Sequence, residues 1–506
     1  MAHTVESVPA DGRVLFFLFL LALIWAPLPF GSNQLWSWSF LEAWVLLMAA
    51  AWIVLFIAGR VEPTHAFRRA WPTLMLFVGV FVLVQIQLLA LPATVLALLS
   101  PAAADIHAVT QGETTLTLDP AATRAAALKT LTYGVLFALT LLLVDSRARL
   151  RSLALALVFS GVFQAAYGAL MTLSGLEIGF FTAKEQGAGA ATGTFGNANH
   201  FAGYLEMCLG VGIGLMLADM SSRRAANMRE SLRRFLSSLL GSQGRVRLLL
   251  VIMVTGIVLS KSRMGNIAFF SSLVIAGGLY AKLARRLNLG TLIFFISVVL
   301  IDILIIGNYF GIDKVAEELR QGIRLDASVY DMGYRALVTD DALQIVRDYP
   351  LTGAGAGSFG SVIPMYEDGD TGSFVWEYAH NDYLQFAGEF GLAGFAMLGG
   401  IVLLSVWMAI SAQVRRRDQM MRGMACGILM AIVAMLIHTA IDYNLQIPAN
   451  AATFVVILAM AWLTRWLRAE AHHRRPARND STAAAAKHPS RSPSRRRTPS
   501  RERSRS

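Results

Sequence analysis

The feature that most constrains this chain is a series of twelve apolar runs, most of them long enough to cross a lipid bilayer as helices. Helices of roughly 17–25 apolar residues span the hydrocarbon core, where backbone groups must bond within the chain. Short charged loops separate the runs, and only 15% of the 506 residues are charged. We therefore predict an all-α, polytopic membrane protein of about twelve helices. The runs are Val14–Phe30, Leu41–Ala58, Thr73–Leu91, Leu128–Val144, Ser152–Thr172, Phe201–Ala218, Leu248–Ser260, Asn266–Tyr280, Thr291–Gly307, Leu384–Ala412, Gly423–Ile441 and Ala451–Trp466.

The basic residues of the loops predict the orientation. With the N-terminus in the cytoplasm, the loops on that side hold 20 Lys and Arg, against 9 on the opposite side. Loops rich in Lys and Arg stay in the cytoplasm. We therefore expect a multi-pass protein of the bacterial inner membrane, with both termini cytoplasmic and a large periplasmic loop at Asn308–Tyr383. Residues 1–13 form a cytoplasmic leader, and the first apolar run is retained as a helix.

The net charge of +11 belongs mainly to the C-terminal end. From Arg465 onward there are 13 Lys or Arg against 3 Asp or Glu. Residues 467–506 are rich in Arg, Ser, Pro and Ala, a composition that cannot bury a core. We predict a disordered basic cytoplasmic tail and no nucleic-acid partner, since the rest of the chain is nearly neutral.

The large loop is predicted to contain helical structure, because long structureless loops are uncommon. In Tyr334–Tyr349 the residues Val338, Ala342, Ile345 and Val346 form an apolar stripe at helical spacing, and Pro350 ends it. This helix is expected to lie flat on the membrane surface. The glycine-rich run at 353–357 is interpreted as a hinge or tight turn.

Polar residues cluster where four segments meet the predicted outer surface. Such groups are unfavourable at a membrane boundary unless they have partners or a function. We expect them to converge on a cavity. They are His200 with Asn197 and Asn199, Arg263 with Lys261, His380 with Asn381 and Asp382, and His438 with Asp442.

These residue types suit attack of a hydroxyl on a carbon that carries a phosphate ester. A guanidinium binds phosphate oxygens through two parallel hydrogen bonds, and a histidine is a general base near neutral pH. The same residues have simpler interpretations, since an arginine can anchor headgroups and a histidine can cap a helix. From Asn308 to Glu377 the large loop holds 12 acidic against 5 basic residues, so only specifically placed arginines such as Arg324, Arg335 and Arg347 could bind phosphate.

One motif connects the chain to a known family. His380 and Asn381 are followed by nine residues, Gly391, two residues and Gly394. O-antigen ligases carry this pattern in their last large periplasmic loop, and the chain in this respect resembles the O-antigen ligase and polymerase superfamily. Three further segments resemble the family in the same order: Gly193–Tyr204, Ser260–Gly265 with Met264 where Gly is usual, and Arg335 followed by Pro350–Phe359. The resemblance extends from about Leu150 to Trp466.

The resemblance implies a metal-independent, inverting glycosyltransferase of the C-type membrane fold, without a cofactor, over residues 14–466. The donor would be a glycan on undecaprenyl pyrophosphate, and the acceptor a hydroxyl of lipid A–core or of another glycan. By family analogy His380 would activate the acceptor, while Arg263, with Lys261 nearby, would hold the pyrophosphate. The additional loop arginine maps to Arg335, with Arg324 and Arg347 as alternatives, and His200 is a further contact candidate.

Several functions stay open at this point. We place the ligase first, an O-antigen or exopolysaccharide polymerase second, and a protein O-oligosaccharyltransferase third. A lipid-linked glycan transporter is the alternative from another class, and it would need polar residues at mid-membrane depth. Few were expected, with Gln164 and Asp302 as scattered candidates.

Overall fold

The computed structural model describes residues 10–110, 114–180, 182–184, 188–219, 242–284, 327–367 and 376–467. These residues are largely helical, and the extended pairing among them is a single bridge between Ile178 and Ala183. The helices are α1 (Ala10–Trp25), α2 (Leu35–Ile57), α3 (His65–Arg69), α4 (Trp71–Gln87), α5 (Ala93–Leu99), α6 (Pro101–Thr110), α7 (Pro120–Leu143), α8 (Arg147–Leu173), α9 (Ala198–Asp219), α10 (Ser242–Leu259), α11 (Arg263–Ala284), α12 (Ala327–Asp348), α13 (Phe359–Val362), α14 (Asp382–Arg415), α15 (Gln419–His438) and α16 (Pro448–Trp466).

Eight of the described helices are long and apolar enough to cross a membrane, namely α2, α7, α8, α9, α11, α14, α15 and α16. Helices α1 and α4 are shorter and apolar, and α10 covers the predicted run at Leu248–Ser260 from an earlier start. The prediction of an all-α polytopic membrane protein is confirmed. The predicted run Thr291–Gly307, residues 1–9 of the predicted leader and the tail beyond residue 467 lie outside the described residues, and the last four residues of the predicted leader belong to α1.

Helices α9, α15 and α16 form the centre of the bundle, and almost all of their side chains are buried. Helix α9 packs most extensively on α15. A Cβ on Gly427 would overlap the backbone of Gly210, and a Cβ on Gly210 would lie 2.8 Å from the Cβ of Ala431. Small residues let two membrane helices approach closely and gain van der Waals contact. This pair therefore fixes the ends of α9 and α15 beside each other.

Helix α14 is interrupted at Gly391, which has φ +64° and ψ 177° inside an otherwise helical segment. The interruption exposes backbone groups that the preceding glycine-rich loop satisfies. The side chain of Gln87 donates to the carbonyl of Glu389 at 2.9 Å and accepts from the Ala356 amide at 3.0 Å. The residues at 353–357 form a tight turn in which Gly353 and two further glycines have positive φ. The first two turns of α14 are thus a separate segment held by this loop.

The apolar stripe predicted in the large loop belongs to α12, which extends earlier than expected. Val338, Ala342 and Ile345 are buried in a second hydrophobic cluster, together with residues of α5, α6 and the 359–363 segment. Ala379 is fully buried in the same cluster. Because Ala379 directly precedes His380, this cluster fixes the backbone that presents the histidine.

Candidate active site

Three histidines surround the carboxylate of Asp442, which is 2% exposed. Asp442 Oδ1 lies 3.8 Å from His380 Nδ1 and 3.9 Å from His200 Nε2, and its Oδ2 lies 4.0 Å from His438 Nε2. The histidines come from α9, the turn before α14 and the end of α15. The predicted convergence of these segments is therefore present in the structure, and Asp442 is its centre.

His380 is the member of this cluster that a substrate can reach. Its side chain is 20% exposed, whereas those of His200 and His438 are 6% and 0% exposed. Its ring packs edge-on against Trp376 and Tyr443, with centroid distances of 5.8 and 4.7 Å. One side of the imidazole faces the buried carboxylate and the ring keeps access to solvent, which is the arrangement that a general base needs.

The backbone around His380 is held from several directions. His380 has a positive φ of 49°, an unfavourable conformation that the surrounding structure must enforce. Asn381 caps α14, since its Oδ1 accepts hydrogen bonds from the amides of Tyr383 and Leu384 at 3.0 and 3.2 Å. Asp382 is buried and accepts from the amide of Leu445 at 2.9 Å. The structure thus gives Asn381 and Asp382 internal partners that shape the turn.

A buried glutamate–histidine pair lies between this cluster and the start of the helix that carries Arg263. Glu206 and His438 are both fully buried, with Glu206 Oε1 2.7 Å from His438 Nδ1. A Cβ on Gly265, two residues into α11, would lie 3.3 Å from Glu206 Oε1. The start of α11 therefore packs directly against the pair, which places the Arg263 turn close to the histidine cluster.

The Arg263 turn is rigid although its cations are exposed. Ser260 Oγ accepts from the amide of Ser262 at 3.1 Å, and Ser262 Oγ accepts from the amide of Gly265 at 3.1 Å. Lys261 has φ +57°, and Lys261 and Arg263 are both solvent-exposed. Two cations on a fixed backbone beside the histidine cluster can bind an anion without first ordering a loop.

A short hairpin, formed around the bridge between Ile178 and Ala183, lies close to Lys261. Lys184 is 4% exposed and donates to Glu177 Oε2 at 2.6 Å, while the amide of Gly189 donates to the other oxygen at 2.9 Å. The hydrogen bond from Lys184 is the main reason that the pKa of Glu177 is lowered from 4.5, and Lys261 adds a smaller electrostatic contribution. The hairpin and the Arg263 turn are thus neighbours on one surface.

The remaining predicted residues have different positions. Asn197 Oδ1 accepts from the amide of Asn199 at 2.7 Å, so Asn197 stabilises the start of α9. Arg347 is exposed in the last turn of α12. The side chain of Arg335 and all of Arg324 lie outside the described residues, so the choice of loop arginine stays a prediction.

A cavity of about 1050 Å³ lies between α4, α7, α14 and α16, next to the segment that precedes His380. Ionisable residues in its wall include Lys129 on α7, Glu389 on α14 and Glu377. Tyr378 also lines it, and burial is the main cause that raises the pKa of this tyrosine, which keeps its hydroxyl protonated and able to donate.

The expectation of few polar residues at mid-membrane depth stays a prediction, although charged residues do lie within the apolar helices. Membrane helices of the described chain carry Glu42 on α2, Lys129 on α7, Glu206 on α9 and Glu389 on α14, and all three glutamates are buried. A single charged residue within an apolar run was the sequence signal for each of them. Gln164 bonds Thr194 through both ends of its amide and so has a structural role in holding that turn.

The fold and this site define a multi-pass helical membrane protein with an acid–histidine cluster at one end of the bundle. Residues 248–399, from α10 into α14, match the family model described as O-Antigen ligase. The matched range contains Arg263, His380, Gly391 and Gly394, and it confirms the resemblance to the O-antigen ligase superfamily for this part of the chain. The search of curated proteins gives no match.

Proposed function

We propose that the protein transfers a glycan from undecaprenyl pyrophosphate to an acceptor hydroxyl, as an O-antigen ligase that uses lipid A–core. The observation that carries this proposal is the placement of His380 beside buried Asp442, at the family motif and near the Arg263 turn, whose helix packs against Glu206. A base and an anion site on neighbouring turns are the two elements that this transfer requires.

The proposed reaction is a single displacement with inversion. The acceptor oxygen forms a bond to the anomeric carbon while its proton passes to His380. The bond from that carbon to the phosphate oxygen breaks, and undecaprenyl pyrophosphate leaves with the electron pair. Arg263 and Lys261 stabilise the charge that develops on the diphosphate. Following the family resemblance, the proposed mechanism uses no metal, so a chelator should leave the rate unchanged.

Asp442 acts in this scheme as a positioning residue. Its carboxylate fixes the imidazole of His380 and stabilises the imidazolium that forms when the acceptor proton is taken up. His438 and Glu206 lie behind Asp442 and hold the start of α11. The geometry therefore supports a base and an anion site that are built as one unit.

The site is proposed to face the periplasm, with both termini in the cytoplasm. It lies where α9, α11 and α14 begin and α15 ends, and the loops at the other ends of these helices hold most of the basic residues. Reporter fusions at Gly369 and Ala471 test this. Phosphatase activity at Ala471, or its absence at Gly369, would show that the orientation is reversed.

Substitution of His380 tests the chemistry. His380→Ala should lower glycan transfer by about 10²–10⁴-fold, the usual contribution of a general base, with normal membrane insertion. His65→Gln is the matched control, because His65 bonds the backbone of Trp466 outside the histidine cluster. This variant should transfer glycan at the wild-type rate. An inserted His380→Ala protein that transfers at the wild-type rate would place the base elsewhere.

Two other functions are distinguished by the glycolipids of a deletion strain. Loss of polymer from lipid A with free polymer retained indicates the ligase, and accumulation of single repeat units on the carrier indicates a polymerase. The intramembrane residues Glu42, Lys129, Glu206 and Glu389 favour a lipid-linked glycan transporter as the candidate from another class. In that case the carrier-linked glycan would accumulate on the cytoplasmic side, and His380→Ala would leave this distribution unchanged.

A further inference from the structure

The cavity between α4, α7, α14 and α16 has two chemically different zones. The wall far from the site is apolar and includes Phe77, Leu398 and Leu458. The wall near the site includes Trp376 and Tyr378. Helices rise about 1.5 Å per residue, so the wall that α14 provides extends well into the membrane. A ligand that fills both zones must be an amphiphile with its polar part at the level of His380.

The charges of the cavity do not suit a diphosphate. Among the described residues in its wall, the amine of Lys129 is accompanied by the carboxyl groups of Glu377, Asp382 and Glu389. Glu377 is exposed and balances Lys129 even if the two buried carboxyl groups are protonated. A diphosphate needs an excess of cations, whereas carboxyl groups repel it.

The exposed cations lie on other helices. Arg263 begins α11, and Lys261 immediately precedes it; α11 packs mainly on α15 and α9, which are not the helices that form most of the cavity wall. The anion site and the cavity are therefore separate, and each adjoins the histidine cluster. This arrangement leaves the cavity for the second substrate.

The polar groups of the cavity suit an uncharged sugar. Gln385 Nε2 donates to Glu389 Oε1 at 3.0 Å, and both residues line the cavity, so they can exchange hydrogen bonds with hydroxyl groups. Tyr378 stacks on Tyr443 with centroids 4.4 Å apart, which fixes an aromatic surface at the cavity wall. Trp376 lines the cavity and also contacts the His380 ring. The polar end of the cavity therefore adjoins the His380 site through Trp376.

We propose that this cavity is the acceptor subsite and that its occupant is a lipid-anchored glycan whose contacting sugar is uncharged. The inference rests on the proposed glycan transfer and names its second substrate. The lipid anchor fills the apolar zone and the sugar head lies between Trp376, Gln385 and Glu389. A water-soluble protein acceptor would leave the apolar zone empty, so the cavity favours a glycolipid acceptor over a protein.

Binding measurements test the subsite without requiring transfer. The probes are n-dodecyl-β-maltoside, an uncharged sugar on an alkyl chain, and farnesyl pyrophosphate, a short prenyl diphosphate, with purified full-length protein in nanodiscs. Trp376→Ala should weaken maltoside binding about tenfold, in line with the loss of one aromatic contact and its buried area. Glu389→Gln should weaken it in the same direction, and both variants should bind farnesyl pyrophosphate as wild type does.

Matched variants make the result interpretable. Trp407→Ala removes a tryptophan of α14 that is 60% exposed and does not line the cavity, and it should bind both probes normally. Arg263→Ala should weaken farnesyl pyrophosphate binding alone. Absence of saturable maltoside binding, or weaker diphosphate binding by Trp376→Ala at unchanged maltoside binding, would overturn the acceptor assignment.

Photo-crosslinking identifies the source of the occupant. Phe386 lines the cavity, and p-benzoylphenylalanine at this position should capture a multi-acyl glycolipid in cells, with the same group at Trp407 as the control; capture of the polyisoprenyl-linked donor instead would overturn the acceptor assignment. Capture of ordinary phospholipid alone at position 386 would refute the proposal. If the purified wild-type protein transfers no glycan but maltoside binds the cavity, the proposed function fails and the cavity stands as a glycolipid-binding site without the acceptor role. If transfer is established and Trp376→Ala leaves the acceptor KM unchanged, only the subsite fails.

Discussion

Replacing Asp442 with asparagine removes the charge at the centre of the histidine cluster while keeping the size of the side chain. The amide oxygen can still accept the hydrogen bond from the Tyr443 amide, which is 2.8 Å long, so the backbone should be unchanged. The lost term is the attraction between the carboxylate and the imidazolium of His380 at 3.8 Å. At an effective dielectric constant of 20 this attraction is about 4 kcal/mol, which corresponds to about 10³-fold in rate.

The expected result is a fall in kcat of about 10²–10³-fold, since solvent reaches one side of His380 and screens part of the attraction. The KM for the lipid-linked donor should stay constant, because Asp442 does not belong to the anion site. The assay is glycan transfer by purified protein at saturating and limiting donor concentrations. Asp219→Asn is the control, since this carboxylate pairs with Arg151 at 2.6 Å outside the cluster and should not affect kcat. An Asp442→Asn rate within threefold of wild type would refute the role of the carboxylate.

Three further results are expected. Arg263→Lys keeps the charge but loses the planar donor pair, so donor KM should rise; a pure headgroup anchor would tolerate lysine, and an unchanged rate and KM would support that interpretation. Gly391→Ala should destabilise the protein by about 2 kcal/mol or more, because its φ of +64° and the adjacent Leu351 carbonyl exclude a Cβ. Gly399 has open space around it, so the Gly399→Ala control should have the wild-type Tm. Equal Tm values for the two variants would contradict this explanation. Glu177→Gln should lower the Tm at neutral pH but not in acid. The lowered pKa of Glu177 stabilises the folded state at pH values above the ordinary pKa of 4.5, and this stabilisation disappears as the pH falls. A Tm difference that persists at pH 3 would argue against this role of Glu177.

Hydropathy located the membrane helices well but placed their ends less well. Helix α7 begins at Pro120, after Asp119 caps it with hydrogen bonds to the amides of Ala121 and Ala122, whereas its apolar run begins at Leu128. Polar residues can continue a helix beyond the hydrocarbon region, so capping side chains decide where it begins. The apolar run indicates which residues cross the membrane, and the capping residue indicates where the helix begins.

The candidate site was predictable where residues lie at helix ends and was missed where they lie inside helices. His200, His380 and Asp442 all fall at boundaries, and alternating topology places these boundaries on one face. Glu206 and Glu389 lie within runs whose average hydropathy hides one carboxylate. Their roles depend on partners distant in the chain, His438 for Glu206 and the glycine-rich loop for Glu389, and pairing across helices is not encoded in local periodicity.

The break of α14 at Gly391 was likewise not predicted from the sequence, although the glycine itself was part of the family motif. A glycine within an apolar run is compatible with a continuous membrane helix, and φ alone does not follow from the residue type. The break requires the side chain of Gln87 and the turn at 353–357 to satisfy the freed backbone groups. Three segments far apart in sequence must therefore be present together before the helix divides.

The buried carboxylate at the centre of the site also sets the moment during biosynthesis at which the protein can become active. Asp442 and the neighbouring Leu445 amide, which holds Asp382, emerge from the ribosome after every described helix except α16. The side chain of Asn450 then donates to the carbonyl of His200 at 2.9 Å and joins the ends of α9 and α16. A chain that stops before these residues can insert most of its helices yet has no oriented base. Under the proposed function, truncated or stalled products are therefore expected to be inert in the membrane and to leave the lipid carrier unconsumed.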